Sequence, residues 1–80
     1  MYFAYILKSS VSGRHYYGHT KNLEKRLKRH NSGNVRSTKA YKPWTIHYHE
    51  EFHTKSEAYC REMYFKSIDG RNYLKSENII

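Results

Sequence analysis

The residues most suggestive of chemistry lie on a basic helix that carries two polar side chains where apolar ones belong. Leu23 and Leu27 are four residues apart and share one helix face. The i, i+3, i+4, i+7 pattern places Arg26 and His30 on the same inward face. Because sequence rules fail most often at functional sites, we expect this face to form one wall of a site.

A second helix carries a carboxylate on its own inward face. At 100° per residue, that face holds Ala58, Glu62, Phe65 and Asp69, with Arg61 and Ile68 on its edge. A buried ion pair between Glu62 and Arg26 is the structural alternative, but desolvation makes such pairs weak stabilisers. In so small a core, we favour a chemical role for both residues.

A carboxylate, an arginine and a phenol together suit the hydrolysis of a phosphodiester. Glu62 can hold a hard divalent cation, Mg²⁺ or Mn²⁺, whose charge activates phosphate. Arg26 offers a planar fork that matches phosphate oxygens. The pattern therefore favours metal-dependent phosphodiester chemistry on a polyanion.

Two tyrosines on a predicted hairpin complete the set. Either Tyr5 or Tyr16 could position water and take its proton if a nearby cation lowered the phenol pKa from its usual ~10. His30 or His19 could hydrogen-bond that phenol or relay its proton. Core packing is the alternative for each tyrosine, and a helix C-terminal cation is the alternative for His30.

Composition restricts the partner and the compartment. The 80 residues suit a single domain, 1–80, and 15 Lys and Arg against 7 Asp and Glu give a net charge of +8. This charge favours DNA or RNA as the partner over a membrane surface. One cysteine excludes an internal disulfide framework, and no segment resembles a membrane span or a signal peptide. We therefore expect a cytoplasmic protein.

Strands and helices alternate along the chain to position these residues. Residues 2–8 are predicted to form a central strand, because both of its faces are apolar. A turn-rich segment leads to a second strand at 14–20, which predicts an antiparallel hairpin. A helix at about 22–31 follows, with Asn22 as its N-cap and Gly33 at its C′ position.

A long basic loop, residues 31–43, follows the first helix. Its cations Arg36, Lys39 and Lys42 are expected to contact substrate phosphates, although a solvated connector is the alternative.

A third strand and a second helix come next. The strand spans residues 44–52, and the helix begins at a capping box on Thr54 and runs to about Asp69, where Gly70 stops it. Residues 71–80 are expected to form a short last helix or a tail, with its packing residues at Tyr73, Leu74, Ile79 and Ile80.

Short motifs occur in a fixed order along nearly the whole chain. The first two are Phe3-Ala4-Tyr5 and Tyr16-Tyr17-Gly18. They are followed by Thr20-Lys21-Asn22-Leu23, Arg26-Leu27, His30-Asn31-Ser32-Gly33, Ser37-Thr38-Lys39-Ala40, Pro43-Trp44, Lys55-Ser56-Glu57-Ala58 and Arg61-Glu62. This ordered set resembles the GIY-YIG nuclease superfamily, specifically its small stand-alone bacterial type related to the excinuclease component that cuts beside DNA damage.

The resemblance implies an α/β domain with a three-stranded antiparallel sheet flanked by helices. It also implies metal-dependent endonuclease cleavage of DNA, in DNA repair or processing. Tyr5 and Tyr16 take the places of the two motif tyrosines, one of which would be the general base. Arg26 takes the place of the phosphate-facing arginine, His30 that of a histidine found in some members, and Glu62 that of the metal-binding carboxylate.

The chain departs from the family pattern at a few positions. The Gly and Ile of the first motif are Phe3 and Ala4, and the Ile of the second is Tyr17. His19 falls where some members place a lysine near the attacking water. No second DNA-binding domain accompanies the motifs, so a homodimer or a partner protein could supply the choice of a branched or damaged DNA.

Two other functions fit parts of the sequence. A basic nucleic-acid-binding module without strong catalysis would stack bases on the tyrosines, but it has little use for Glu62 on an apolar face. A structural zinc protein would use His47, His49, His53 and Cys60, whose spacing fits no standard zinc pattern.

Overall fold

The central strand β1 (Tyr2–Ser9) organises the fold in the computed structural model, which describes residues 1–80. It pairs antiparallel with β2 (His15–Thr20) on one side and with β3 (Trp44–Phe52) on the other, in the order β2-β1-β3. The predicted hairpin and the predicted central position of the first strand are therefore confirmed.

Side chains from the two faces of the sheet form two separate cores, because successive residues of a strand point to opposite sides. On one face, Ala4 and Ile6 pack with Tyr17 against helices α2 (Lys55–Lys66) and α3 (Ile68–Ser76). On the other face, Tyr5 and Leu7 pack against helix α1 (Leu23–Asn31). A short 3₁₀ turn (Lys39–Tyr41) closes the loop between α1 and β3.

Helix α1 begins and faces the sheet as its sequence predicts. The Asn22 side chain accepts a hydrogen bond from the backbone N–H of Lys25 at 3.0 Å, which caps the first turn. Gly33 follows the helix with a φ of 83°, a conformation that favours glycine. Arg26 is half-buried and His30 is buried, so the polar residues of the inward face do point into the protein.

Helix α2 begins at the predicted capping box but ends earlier than predicted. Thr54 and Glu57 exchange both hydrogen bonds of the box. The helix then ends at Lys66, because Ser67 is its C-cap and is also the N-cap of α3, accepting from the N–H of Gly70 at 3.0 Å. The prediction of one helix to about Asp69 is wrong.

Gly70 lies inside α3 and does not stop a helix. A β-carbon at this position would lie 1.7 Å from the carbonyl oxygen of Tyr64. The missing side chain therefore allows α3 to cross very close to the end of α2. The predicted packing residues do pack against the core: Leu74 of α3 is fully buried, and Tyr73 of α3 and Ile79 and Ile80 beyond its end are half-buried.

Arg61 joins α2 to the rest of the fold. Its guanidinium binds the Glu50 carboxylate on β3, with Nε 2.8 Å from Oε1. The same group stacks on the rings of Tyr64, Phe65 and Tyr73, at 4.9, 5.2 and 5.1 Å from their centroids. These contacts give Arg61 a structural role.

None of the helices has the length and apolar character that a membrane crossing requires.

Candidate active site

The buried Tyr5 hydroxyl begins a chain of hydrogen bonds through α1 into the loop that follows it. It lies 3.2 Å from Nε2 of His30, whose Nδ1 is 2.8 Å from Oγ1 of Thr38. The Thr38 hydroxyl donates to the carbonyl of Val35, so it accepts from His30. We therefore assign the imidazole proton to Nδ1, which leaves Nε2 to accept from Tyr5.

The pKa values of both groups match this arrangement. Burial lowers the pKa of His30 to about 4, and the positive charges of Arg26 and Arg29 add to the effect. Burial raises the pKa of the Tyr5 phenol, and the neighbouring Tyr16 raises it further. The Arg26 charge lowers the pKa of Tyr5 while the Glu62 charge raises it, so both charges reach this hydroxyl.

We expect the free energy of unfolding to fall as pH drops from about 6.5 to about 4, because folded His30 resists protonation. The unfolded chain binds more protons than the native state in this window, so the contribution is complete above pH 6.5 and lost near pH 4. The loss is about 3 kcal/mol. Urea unfolding across this range measures it. His30→Gln should weaken the dependence of the free energy of unfolding on pH in this range. An equal pH dependence in the variant would show that His30 does not cause it.

The Tyr16 ring packs beside this hydrogen-bonded chain. Tyr16 places its ring centroid 4.8 Å from that of His30 and 6.5 Å from that of Tyr5. Tyr5 lies opposite Gly18 in the sheet, and a β-carbon on Gly18 would be 2.4 Å from the Tyr5 hydroxyl oxygen. Gly18 therefore leaves the space that the Tyr5 phenol occupies.

Glu62 is buried, with 7 % of its surface exposed, and both of its oxygens are bound. Oε1 lies 2.6 Å from Nδ1 of His19, and Oε2 lies 2.7 Å from Nζ of Lys66. Arg26 has no carboxylate partner within 4.0 Å. The structural alternative, a buried ion pair between Glu62 and Arg26, is therefore wrong. The Arg26 guanidinium can instead bind an anion from outside the protein.

The donor set at Glu62 fits a hard divalent cation that keeps most of its own water. Magnesium is commonly held by one or two carboxylates together with water and substrate phosphates. Glu62 is a lone carboxylate, and its oxygens keep lone pairs beyond those used by His19 and Lys66. The Lys66 side chain is 47 % exposed, so it can leave Oε2 when a stronger cation arrives.

A cleft of about 520 Å³ opens beside this cluster, where β2 leads into α1. His19 lines the cleft and also binds Glu62, so it connects the cleft to the carboxylate. No acidic side chain lines the cleft, and its cations are Lys21, Lys25, Arg26, Arg29 and Lys55. We call this space the first basic cleft.

The structure brings some of the expected site residues together and leaves others apart. Tyr5, Tyr16 and His30 lie together, and the Arg26 charge acts on both Tyr5 and His30. Glu62 is paired with His19, and its charge also reaches Tyr5.

The loop cations Arg36, Lys39 and Lys42 are exposed and lie outside the first basic cleft, so their contact with substrate stays a prediction. Apart from Arg26, the cations that do line it were missed, although Lys25 and Arg29 share a helix face with Arg26. Thr38 was also missed, because nothing local marks a threonine that binds a histidine eight residues away.

The alternative zinc ligands lie apart. The ring of His49 packs against that of Phe3, the ring of His47 packs against that of His15, and Cys60 is exposed on α2. No three His, Cys, Asp or Glu side chains gather where they could hold a metal ion. The geometry gives no support to a structural zinc site.

Comparisons with known proteins agree with this fold and site. The chain is 44% identical over 72 residues to a UPF0213 protein of Bacillus licheniformis, covering 89% of this chain and 73% of that protein. It is 39% identical over 75 residues to a UPF0213 protein of Staphylococcus saprophyticus, covering 92% and 90%. A solution NMR structure of the UPF0213 protein from Bacillus halodurans superposes with a TM-score of 0.54 at 30% identity, over 95% of this chain and 84% of that one.

A family model also matches most of the chain. The model of the GIY-YIG catalytic domain, the domain of a nuclease family, matches residues 1–75. The two tyrosine motifs, Arg26 and Glu62 all lie within the matched range. This chain therefore belongs to the GIY-YIG catalytic domain family.

Proposed function

We propose that this protein is a divalent-metal-dependent endonuclease that hydrolyses DNA phosphodiester bonds. One observation carries the proposal: the buried Glu62 carboxylate is bound by His19, which lines a cleft whose other lining residues include Arg26 and four more cations. A positive cleft attracts a phosphate backbone, while the Glu62 carboxylate behind His19 repels it. A cation held on Glu62 removes that conflict.

In this proposal, Glu62, His19 and Arg26 each have a separate role. Glu62 holds the cation, and His19 orients Glu62 through its 2.6 Å hydrogen bond. When bound, the cation polarises the phosphate and stabilises the leaving oxygen. Arg26, which has no carboxylate partner, binds two phosphate oxygens at once and stabilises the charge that develops on them.

The two tyrosines have different roles in this proposal. Tyr5 donates a hydrogen bond to His30, and its raised pKa keeps the phenol protonated at neutral pH, so we assign it to positioning. Tyr16 lies half-buried against His30 and outside the hydrogen-bonded chain. We assign the removal of a proton from the attacking water to Tyr16.

Cleavage of a supercoiled plasmid tests the proposed function. We expect the native protein to nick the plasmid with Mg²⁺ or Mn²⁺ and to stop when a chelator is added. Tyr16→Phe should lower the rate at least about 100-fold, which is the usual value of a general base. Tyr5→Phe should lower it less.

Tyr59→Phe is the matched control, because it removes an exposed hydroxyl from α2 and keeps the ring that packs on His19. It should cut DNA at the native rate. Salt-sensitive binding by the native protein without cleavage would support the alternative of a nucleic-acid-binding module. Cleavage that persists in chelator would overturn the proposed role of the cation.

A further inference from the structure

A second basic cleft lies at the opposite end of β2 from the first, and the proposed active site does not use it. It encloses about 490 Å³ between the start of β2 and helix α3. Its lining residues are Arg14, His15, Tyr17, Arg71, Lys75 and Ile80, which include no acidic side chain. We call this space the second basic cleft.

The cations of this cleft break a local rule of helix stability. Arg71 and Lys75 are four residues apart on α3, where like charges repel one another. Neither forms an ion pair with a carboxylate within 4.0 Å. Two neighbouring cations without a counter-charge are stabilised when an anion binds between or across them.

The surrounding sheet adds to the positive character of this cleft. The ring centroids of His15 and His47 are 5.3 Å apart, and the Lys8 ammonium lies nearby on β1. Burial, followed by the His47 and Lys8 charges, lowers the pKa of His15. His15 is therefore uncharged at neutral pH, and Lys8 is the cation that the sheet adds to those of α3.

Strand β2 runs from one cleft to the other. His15, Tyr17 and His19 alternate along the strand and share one face, with His15 in the second cleft and His19 in the first. Four strand residues span roughly 13 Å, which equals about four base steps of duplex DNA. Tyr17, midway between the two histidines, is buried against α2 and α3. Because β2 is an edge strand, a duplex can instead lie along its outer edge and reach both clefts.

We propose that the second basic cleft binds backbone phosphates of the same DNA duplex, about four base steps from the phosphate held at the first cleft. This inference rests on the proposed function, because it takes DNA as the substrate. It also gives this small domain a second hold on DNA, in addition to the phosphate at the first cleft. Phosphate contacts of this kind fix position without reading sequence.

Binding of a fluorescent duplex in the presence of chelator tests the inference without any cleavage. The double variant Arg71→Gln/Lys75→Gln should bind about tenfold more weakly and lower the slope of log affinity against log salt by about 2. Lys75→Gln alone should lower the slope by about 1. Lys28→Gln is its matched control, because Lys28 is also an exposed lysine in the last turn of a helix but lines neither cleft.

The charge-conserving variant Arg71→Lys/Lys75→Arg separates loss of charge from loss of fold, and it should retain native affinity and salt slope. An unchanged slope in Arg71→Gln/Lys75→Gln would overturn the second cleft while leaving the proposed nuclease untouched. Inorganic phosphate that binds the native protein but not this double variant, together with unchanged DNA affinity, would show a free-anion site and also overturn it. Failure of the native protein to nick plasmid would instead count against the proposed function.

Discussion

Glu62→Gln is expected to lower the rate of metal-dependent DNA cleavage about a thousandfold or more. The amide keeps the shape of the side chain but removes the negative charge that would hold the cation. Loss of several kcal/mol of charge stabilisation in the transition state corresponds to this factor. Single-turnover cleavage of a labelled duplex, with enzyme in excess, measures the rate without interference from product release.

The fold should survive this substitution, so the loss can be assigned to chemistry. The neutral amide would make only uncharged contacts with His19 and Lys66, which should lower the free energy of unfolding by about 1–2 kcal/mol. Glu51→Gln is the control, because Glu51 is exposed on β3 and forms no ion pair. It should cut DNA like the native protein. A Glu62→Gln protein that also cuts at the native rate would remove Glu62 from the mechanism.

Gly70→Ala is expected to give the largest loss of stability of any small substitution in this chain. The new β-carbon would lie 1.7 Å from a backbone oxygen of Tyr64, which cannot rotate away as a side chain could. Helix α3 must then move off α2, and Leu74, now fully buried, would lose part of its packing. We expect the free energy of unfolding to fall by about 3 kcal/mol or more.

Chemical denaturation of the native protein and of two variants tests this expectation. Asn72→Ala changes an exposed position of the same helix and should alter stability by only a few tenths of a kcal/mol. Gly70→Ala with native stability would mean that α2 and α3 do not cross as closely as described.

Local patterns in the sequence predict much of this fold. Apolar residues on both faces of β1 indicate its central position, and the Asn22 and Thr54 caps mark where α1 and α2 begin. The helical period also places Arg26 and His30 on the inward face of α1. These features follow from interactions within a few residues, which a single sequence contains.

Features that depend on distant contacts are harder to predict. Ser67 ends one helix and begins the next, a double role that the helical period does not show. Gly70 resembles a helix stop in the sequence, because the close approach of Tyr64 is a tertiary contact. The partners of Glu62 are hidden for the same reason, since His19 is 43 residues away in sequence.

The position at which manganese binds is the sharpest test of the proposed metal site. Mn²⁺ broadens the NMR signals of nearby nuclei, so its site can be located without any cleavage. We predict that the broadening centres on Glu62 and His19, extends to Tyr5, and disappears in Glu62→Gln. Broadening centred elsewhere, or unchanged in Glu62→Gln, would contradict the claim that this buried carboxylate holds the metal of the active site.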